Sequence, residues 1–440
     1  MMGTLRFATV LGVAAWIGVV AGQAQQATLA IQTDKPVAKV SQTLYGLMTE
    51  EINYSYDGGL YGELVQDRTF LSSRSDTENW IPVPLGTARG SVAPDKTTGP
   101  SAALPASEKI TVDQADSASP YGIRNGGWWG VPVKPNTSYT GSVYAKADKD
   151  GMAAGVKVSL VSNETGKVLA SAKLPGLTGD WKQYSFTMKT GALTESSDNQ
   201  IVVSVDHPGS VWLQLLSVFP PTYKDRVNGN RVDLMEMMAA MHPAFLRFPG
   251  GNYLEGNTIA ERFDWKKTIG PLVDRPGHAS PWHYHSSDGL GLLEFLEWCE
   301  DLKMQPVLAV YAGYSLQQQF VKPGADLEPY VQDALDEIEY VTGDASTKWG
   351  AERVKDGHPA PFALTYVEIG NEDFFDRSKS YDGRYAQFYD AIKKKYPAFS
   401  LIATTAVKGH VIDMIDDHYY RRAQEFFADT HHYEDRKTHV

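Results

Sequence analysis

Beyond Pro220-Pro221 the sequence alternates between helical and extended periodicity, and no other feature constrains the fold as strongly. Leu234, Met238 and Met241 share one helical face, and Pro243 stops that helix. Residues 244–248 then read as a strand. Leu292, Leu296 and Cys299 mark a second helix before a strand at 307–311. Val331, Leu335 and Ile338 mark a third helix before 364–369, and Tyr385, Phe388, Tyr389 and Ile392 a fourth, stopped by Pro397. Residues 401–405 and 411–415 supply two more strands. Strands joined through helices run parallel, with the helices covering the sheet. With 44–49 as a first strand, about six parallel strands are expected, where a closed barrel has eight. The predicted fold class is α/β: an incomplete (β/α)8 TIM barrel.

A different texture separates the first of these strands from the rest. Residues 72–222 carry short alternating runs at 138–145, 155–160, 181–188, 201–205 and 211–218, with glycine turns at Asp150-Gly151 and Thr165-Gly166. Strands at this spacing without helices predict a β-sandwich inserted into the barrel, large enough to fold as a module. Trp128-Trp129 reads as a sugar platform or as part of its core, and core is favoured since tryptophans are buried on average. Upstream, 28–37 looks like a further strand. The expected organisation is a signal peptide at 1–24, an N-terminal strand with the first barrel strand at 25–71, the sandwich at 72–222 and a partial barrel at 223–440.

Charge and composition narrow the partners. Lys and Arg number 41 against 53 Asp and Glu, a net charge of −12. An acidic surface repels phosphate backbones, so nucleic acid is excluded and a neutral substrate fits better. The 10 Trp and 23 Tyr suit a sugar binder, because the C–H faces of sugar rings pack on aromatic rings. The single cysteine, Cys299, rules out an intrachain disulfide and a Cys-based zinc site, and its helical context reads as buried packing. At the N-terminus Arg6, an apolar run over 7–21 and Gly22-Gln23-Ala24 describe a secretory signal cleaved after Ala24. The run is shorter than the roughly 20 apolar residues of a membrane span. A secreted or periplasmic protein without a membrane segment after cleavage is expected. Asn53, Asn136 and Asn163 head Asn-x-Ser/Thr motifs.

Reactive side chains in a βα barrel gather where strands run out at their carboxyl ends. Four exits carry chemistry. At Val367-Glu368-Ile369-Gly370-Asn371-Glu372 a buried strand turns at Gly370 and leaves Asn371 and Glu372 at the mouth. A partly desolvated carboxyl there can keep its proton near neutral pH and give it to a leaving oxygen; the alternative is a helix-start glutamate. At Arg247-Phe248-Pro249-Gly250-Gly251-Asn252 two glycines permit tight backbone, Asn252 can bind hydroxyls, and Arg247 needs a buried carboxylate partner. At Thr49-Glu50-Glu51-Ile52-Asn53 strand alternation lets only one glutamate face inward, unless both are exposed. At Asp416-Asp417-His418-Tyr419-Tyr420 the His and Tyr can orient a carboxylate or floor a sugar subsite; the alternative is a satisfied histidine near the barrel rim. Trp282-His283-Tyr284-His285 and His431-His432 lack a ligand set at metal-binding spacing, so neither metal nor cofactor is expected.

Taken together, Leu44-Tyr45-Gly46-Leu47-Met48-Thr49-Glu50-Glu51-Ile52-Asn53, Arg247-Phe248-Pro249-Gly250-Gly251-Asn252 and Glu368-Ile369-Gly370-Asn371-Glu372 resemble the α-L-arabinofuranosidases of glycoside hydrolase family 51, over residues 40–440. The closest branch carries a jelly-roll sandwich similar to a carbohydrate-binding module between the first two barrel strands. The resemblance implies an exo-acting, retaining glycosidase that releases terminal non-reducing α-L-arabinofuranosyl residues from arabinan or arabinoxylan. It gives Glu372 the general acid/base role, Asn371 the sugar 2-hydroxyl, Asn252 a hydroxyl below the ring, and Glu50 further hydroxyls. Tyr420 matches a tyrosine near the nucleophile.

Retention requires a second carboxylate about 5–5.5 Å from the acid/base. In the family a glutamate in a Gly-Glu-Tyr-like motif on the seventh strand serves; that motif is not found here, and Gly62-Glu63-Leu64 lies in the wrong element. The expectation is a chain truncated before its nucleophile and last two barrel strands, with little activity alone. Two other readings are a plant-glycan-binding protein without catalysis and another retaining barrel glycosidase such as a β-xylosidase.

Overall fold

The computed structural model describes residues 28–37, 39–71, 79–148 and 155–440. The expected signal peptide lies outside them. Residues 1–41 and 42–440 separate into two units. The strand expected over 28–37 does not form. That segment is turn and coil, with Leu29 and Ile31 largely exposed. Its alternating side chains have no neighbouring strand, among the described residues, to pair with.

Within the larger unit, six strands form one parallel sheet in the order Leu47–Met48, Phe245–Phe248, Gln305–Val310, Tyr366–Ile369, Ser400–Ala403, Met414–Ile415. This is the curled, partial barrel that the alternating periodicity predicts. Leu246, Phe248, Leu308, Val310, Val367, Ile369, Leu401 and Ala403 point to the helix side. They share one apolar cluster with Phe295, Leu296 and Cys299 of helix Leu292–Leu302, Val331 and Ile338 of Glu328–Thr342, and Tyr385, Phe388 and Ile392 of Tyr381–Lys395. Strand side chains alternate, so Arg247, Ala309 and Glu368 face the opposite, barrel side. Helix Val232–Met241 ends at His242 in the left-handed conformation, one residue before Pro243. Beyond Met414–Ile415 a single parallel bridge joins Met414 to His439, and the Ile415 N–H donates to the His439 carbonyl at 2.9 Å.

Between Leu47–Met48 and Phe245–Phe248 in the sequence lie two five-stranded antiparallel sheets. One runs Ile81–Pro84, Tyr121–Asn125, Asn199–Val205, Val156–Ser162, Val168–Lys173; the other Arg89–Asp95, Ser107–Gln114, Gly209–Phe219, Ser138–Ala147, Lys182–Lys189. Ile123, Val158, Leu160, Ile201 and Val203 of the first share a core with Ile110, Val143, Phe186, Val211 and Leu213 of the second. The five strands expected from alternation are present. Of the five others, not expected from the sequence, Ile81–Pro84 and Arg89–Asp95 contain prolines and lie at sheet edges, where a missing N–H costs no ladder bond. Trp128-Trp129 is not core: Trp128 is half-buried and Trp129 is 70% exposed, on a glycine-flanked loop. Among the described residues no helix is long and apolar enough to cross a membrane.

Candidate active site

The expected strand exits converge at the carboxyl edge of the parallel sheet. The cis Phe248-Pro249 bond and Gly250-Gly251 carry the chain from strand Phe245–Phe248 into the one-turn helix Gly251–Glu255. A Cβ on Gly251, whose φ is +61°, would lie 2.2 Å from the Glu50 carboxyl carbon. Glycine there is what allows Glu50 to sit against this turn. Glu50 Oε1 accepts the Asn252 N–H at 2.7 Å and the Trp282 indole N–H at 3.2 Å. Burial raises the Glu50 carboxyl above its ordinary range. Glu51 faces another way but is not exposed. It is fully buried, accepts the Tyr56 N–H at 2.6 Å, and is raised well above its usual value by burial and then by Asp57.

Arg247 has the carboxylate partner it needs. Its Nε and Nη2 reach the two oxygens of Glu368 at 2.5 and 3.1 Å across the intervening strand, and Asp416 lies 3.4 Å from Nε. Burial pushes the Glu368 carboxyl up to about 8 against the pull of Arg247. Burial acts on Asp416 too, but hydrogen bonds with His418 and Glu368 and the Arg247 charge outweigh it and hold Asp416 below the usual range. Arg247 Nη2 also donates to Asn371 Oδ1 at 2.9 Å, so the same fork that neutralises Glu368 aims the Asn371 amide.

The Asn371 amide in turn donates to Glu255 Oε2 at 2.9 Å, and the Asn252 amide donates to the same oxygen at 2.9 Å. Glu255 was not singled out from the sequence. The signal was available: it follows Asn252 by three residues, which one helical turn places side by side. Burial pushes Glu255 up to about 8, and its other oxygen, Oε1, is buried without a partner among the described residues. It is the hub that holds Asn252 and Asn371 in fixed orientations.

Gly370, at φ +93°, makes the expected turn, and Glu372 follows with φ +44° and ψ +35°. The next residues are pinned: Asp373 and Asp376 accept from the buried Arg384 at 2.7 and 3.1 Å. Glu372 Oε1 accepts from the Tyr420 hydroxyl at 2.7 Å and lies 2.7 Å from His418 Nδ1. The other His418 nitrogen lies 2.8 Å from Asp416. Tyr420 is otherwise exposed, so this hydrogen bond is what ties it to the site. The protonation of Glu372 differs from expectation. Partial burial raises its carboxyl, but the His418 and Tyr420 hydrogen bonds outweigh burial and hold it below the usual value. Hydrogen bonds to Asp416 and Glu372 push His418 up to about 10, so at neutral pH the pair is carboxylate and imidazolium. A desolvation argument made on Glu372 alone omits the cation 46 residues away in sequence.

The five residues given roles by the resemblance thus belong to one connected set, together with Arg247, Asp416 and His418 from the same strand exits. Glu50 touches Asn252; Asn252 and Asn371 share Glu255; Asn371 shares Arg247 with Asp416; His418 joins Asp416 to Glu372; and Tyr420 binds Glu372. The site is a polar floor of carboxylates and amides, with one carboxylate at its rim carrying an exchangeable proton partner. Such a floor can grip a neutral polyol through many hydroxyls. Among the described residues no group of three His, Cys, Asp or Glu could hold a metal ion.

Comparison with known proteins agrees with this chemistry. The family model described as alpha-L-arabinofuranosidase 1 domain matches residues 237–438. A probable alpha-L-arabinofuranosidase A of Aspergillus terreus is 39% identical over 376 residues, covering 83% of this chain and 58% of its own length. Alpha-L-arabinofuranosidase 1 of Arabidopsis thaliana is 34% identical over 410 residues, covering 90% of this chain and 59% of its own. The solved structure of an arabinose-bound family 51 α-L-arabinofuranosidase superposes with a TM-score of 0.84 at 36% identity, over 92% of this chain and 66% of that one. The chain therefore spans about six-tenths of the length of these curated relatives. On sequence and structure together, it belongs to the α-L-arabinofuranosidases of glycoside hydrolase family 51.

Proposed function

We propose that this chain carries the sugar-binding floor and the acid/base of an exo-acting, retaining glycosidase that releases terminal non-reducing α-L-arabinofuranosyl residues from arabinan or arabinoxylan. The observation that supports it most is the Glu255-centred network. It fixes Asn252 and Asn371 at the carboxyl edge of the sheet with Glu50 and Glu372, presenting there four hydroxyl-binding or proton-transferring groups. In this reading Glu50 and Asn252 bind ring hydroxyls, and Asn371 binds the 2-hydroxyl. The leaving oxygen takes its proton through Glu372 Oε1, drawn from the Glu372–His418 pair; the carboxylate left behind then activates water in the second displacement. No residue of this chain is given the nucleophile's role. Tyr420 steadies Glu372 from the rim. The two antiparallel sheets are read as a jelly-roll module over 72–222, similar to carbohydrate-binding modules, between the barrel segments 25–71 and 223–440. Export follows from the N-terminal signal pattern.

Azide tests this on the chain as it stands. In a folded sample with 4-nitrophenyl α-L-arabinofuranoside, azide attacks C1, the C1–oxygen bond breaks, and 4-nitrophenol departs with a proton from the Glu372 pair. Azide-dependent nitrophenol release together with millimolar-or-better arabinose binding by calorimetry is expected. A folded chain that neither binds arabinose nor responds to azide refutes the reading.

A further inference from the structure

We propose that Trp129 is a platform for the pyranose backbone of a branched polysaccharide whose arabinosyl branch occupies the Glu50–Glu372 site. This rests on the arabinofuranosidase reading above. The argument starts at Glu50. Its carbonyl accepts the Ser55 hydroxyl, closing a turn that presents Tyr54, and its carboxylate holds the Trp282 indole. From that turn aromatic rings connect to the Trp128-Trp129 loop. Tyr54 stacks on Tyr284 at 4.2 Å, and the Tyr54 N–H donates to the Tyr284 hydroxyl at 3.0 Å. Tyr54 also meets Trp128 at 5.2 Å, tilted, and Trp129 at 6.0 Å with the two ring planes nearly perpendicular.

The two tryptophans divide the work. Trp128 anchors the loop: a Cβ on Gly58 would lie 2.4 Å from its ring, so the indole packs directly on barrel backbone. Gly127 and Gly130 bridge each other, and the Gly127 N–H donates to Asn125 Oδ1 at 3.0 Å. Trp129 is therefore held on a braced loop yet is 70% exposed, an unusual position for the largest apolar side chain. A rigid, exposed indole binds without ordering itself first. Its flat face suits the C–H faces of equatorial pyranoses such as β-1,4-linked xylose better than a puckered furanose, and the chain's net charge of −12 favours a neutral polymer.

Calorimetric titration of the full chain separates the two sites by ligand: arabinose reports the Glu50–Asn252 site, and xylohexaose reports the platform. Trp129→Ala is expected to weaken xylohexaose binding at least tenfold, and Trp129→Phe to recover most of it, with circular dichroism confirming the fold. Wild-type xylohexaose affinity in Trp129→Ala overturns the platform, as does a chain that binds arabinose but no xylohexaose; the arabinose site then stands. Trp129-dependent binding of xylohexaose with neither arabinose binding nor a response to azide supports the platform and refutes the functional reading. Tighter Trp129-dependent binding of linear arabino-oligosaccharides overturns the pyranose assignment, and no binding of any of these glycans overturns both readings.

Discussion

Replacing Arg247 with methionine isolates the interaction on which the floor of the site depends. The guanidinium is buried, and it makes two hydrogen bonds to Glu368, which is fully buried, and one to Asn371 Oδ1. Methionine fills similar space but removes every donor. Breaking a buried ion pair by deleting one partner costs about 3–5 kcal/mol, because the remaining charge has neither water nor a counterion. The orphaned Asn371 acceptor carries its own penalty of about 1–3 kcal/mol. The two do not add, since a Glu368 carboxyl already pushed up to about 8 escapes part of the penalty by taking a proton. A total near 4 kcal/mol is expected, with pH dependence. At pH 6 the carboxyl is protonated with or without Arg247 and the loss is smaller; at pH 9 wild type keeps an ion pair, whereas the variant, its carboxyl raised further without Arg247, must hold a proton against the solution, and the loss is larger. Urea unfolding followed by tryptophan fluorescence measures both. The double variant Arg247→Met/Glu368→Leu removes the stranded charge and is expected to recover at least half of the single-variant loss. An Arg247→Met midpoint within about 1 kcal/mol of wild type at pH 9, or a double variant as unstable as the sum of the singles, refutes the assignment of this pair as the support of the site.

Three further outcomes follow from the same geometry. Glu255 has a folded-state value raised from 4.5 to about 8, so it favours the folded state below pH 4.5 and loses that contribution as pH rises towards 8; Glu255→Gln, which can still accept from both asparagines, should flatten thermal stability over that window and melt higher than wild type at pH 8. His418 is raised from 6.5 to about 10 by its two carboxylates, so its contribution is complete below pH 6.5 and disappears as pH climbs to 10; His418→Gln should abolish that decline, and the Glu372 carboxyl, followed by carbon NMR, should titrate at higher pH than in wild type. Gly251→Ala places a methyl group against the Glu50 carboxyl at a left-handed φ and should cut arabinose affinity at least tenfold by calorimetry, while Gly166→Ala, at a left-handed φ with open space around it, should leave that affinity unchanged.

What the sequence made legible was what local pattern encodes. The spacing of Leu292, Leu296 and Cys299, or of Tyr385, Phe388 and Ile392, names the face of a helix, and those residues are the buried ones. The position of Asn371 and Glu372 after a buried strand places them at the sheet edge without knowledge of the rest of the fold. Partnerships across distance were not legible. Nothing near Glu372 indicates that His418 will hold it as a carboxylate, and nothing near Arg247 chooses Glu368 over the other glutamates. Segment 28–37 shows the converse error: alternation licenses a strand only if a neighbour exists to receive its hydrogen bonds. Trp128-Trp129 fails for a third reason, because average burial cannot separate two adjacent residues on a loop that must point in different directions.

The site divides by how its parts are held. Glu50, Arg247, Asn252, Glu255, Glu368 and Asn371 come from the first, second and fourth strands of the sheet and are locked by buried hydrogen bonds, so their geometry should be the same whether or not sugar is bound. Glu372 is different. It sits at a positive φ that non-glycine residues adopt only at some cost, and its two partners, His418 and the largely exposed Tyr420, follow the sheet's last strand. A binding floor gains from rigidity, whereas an acid/base must exchange a proton with a leaving group and then with water, and so needs partners that can yield. If the proposed function holds, that division assigns specificity to the strand-held carboxamides and reactivity to the His418–Tyr420 segment. Under the proposed function, substitutions in the floor should therefore weaken arabinose binding by calorimetry, and substitutions at His418 should shift the pH profile of azide-dependent nitrophenol release.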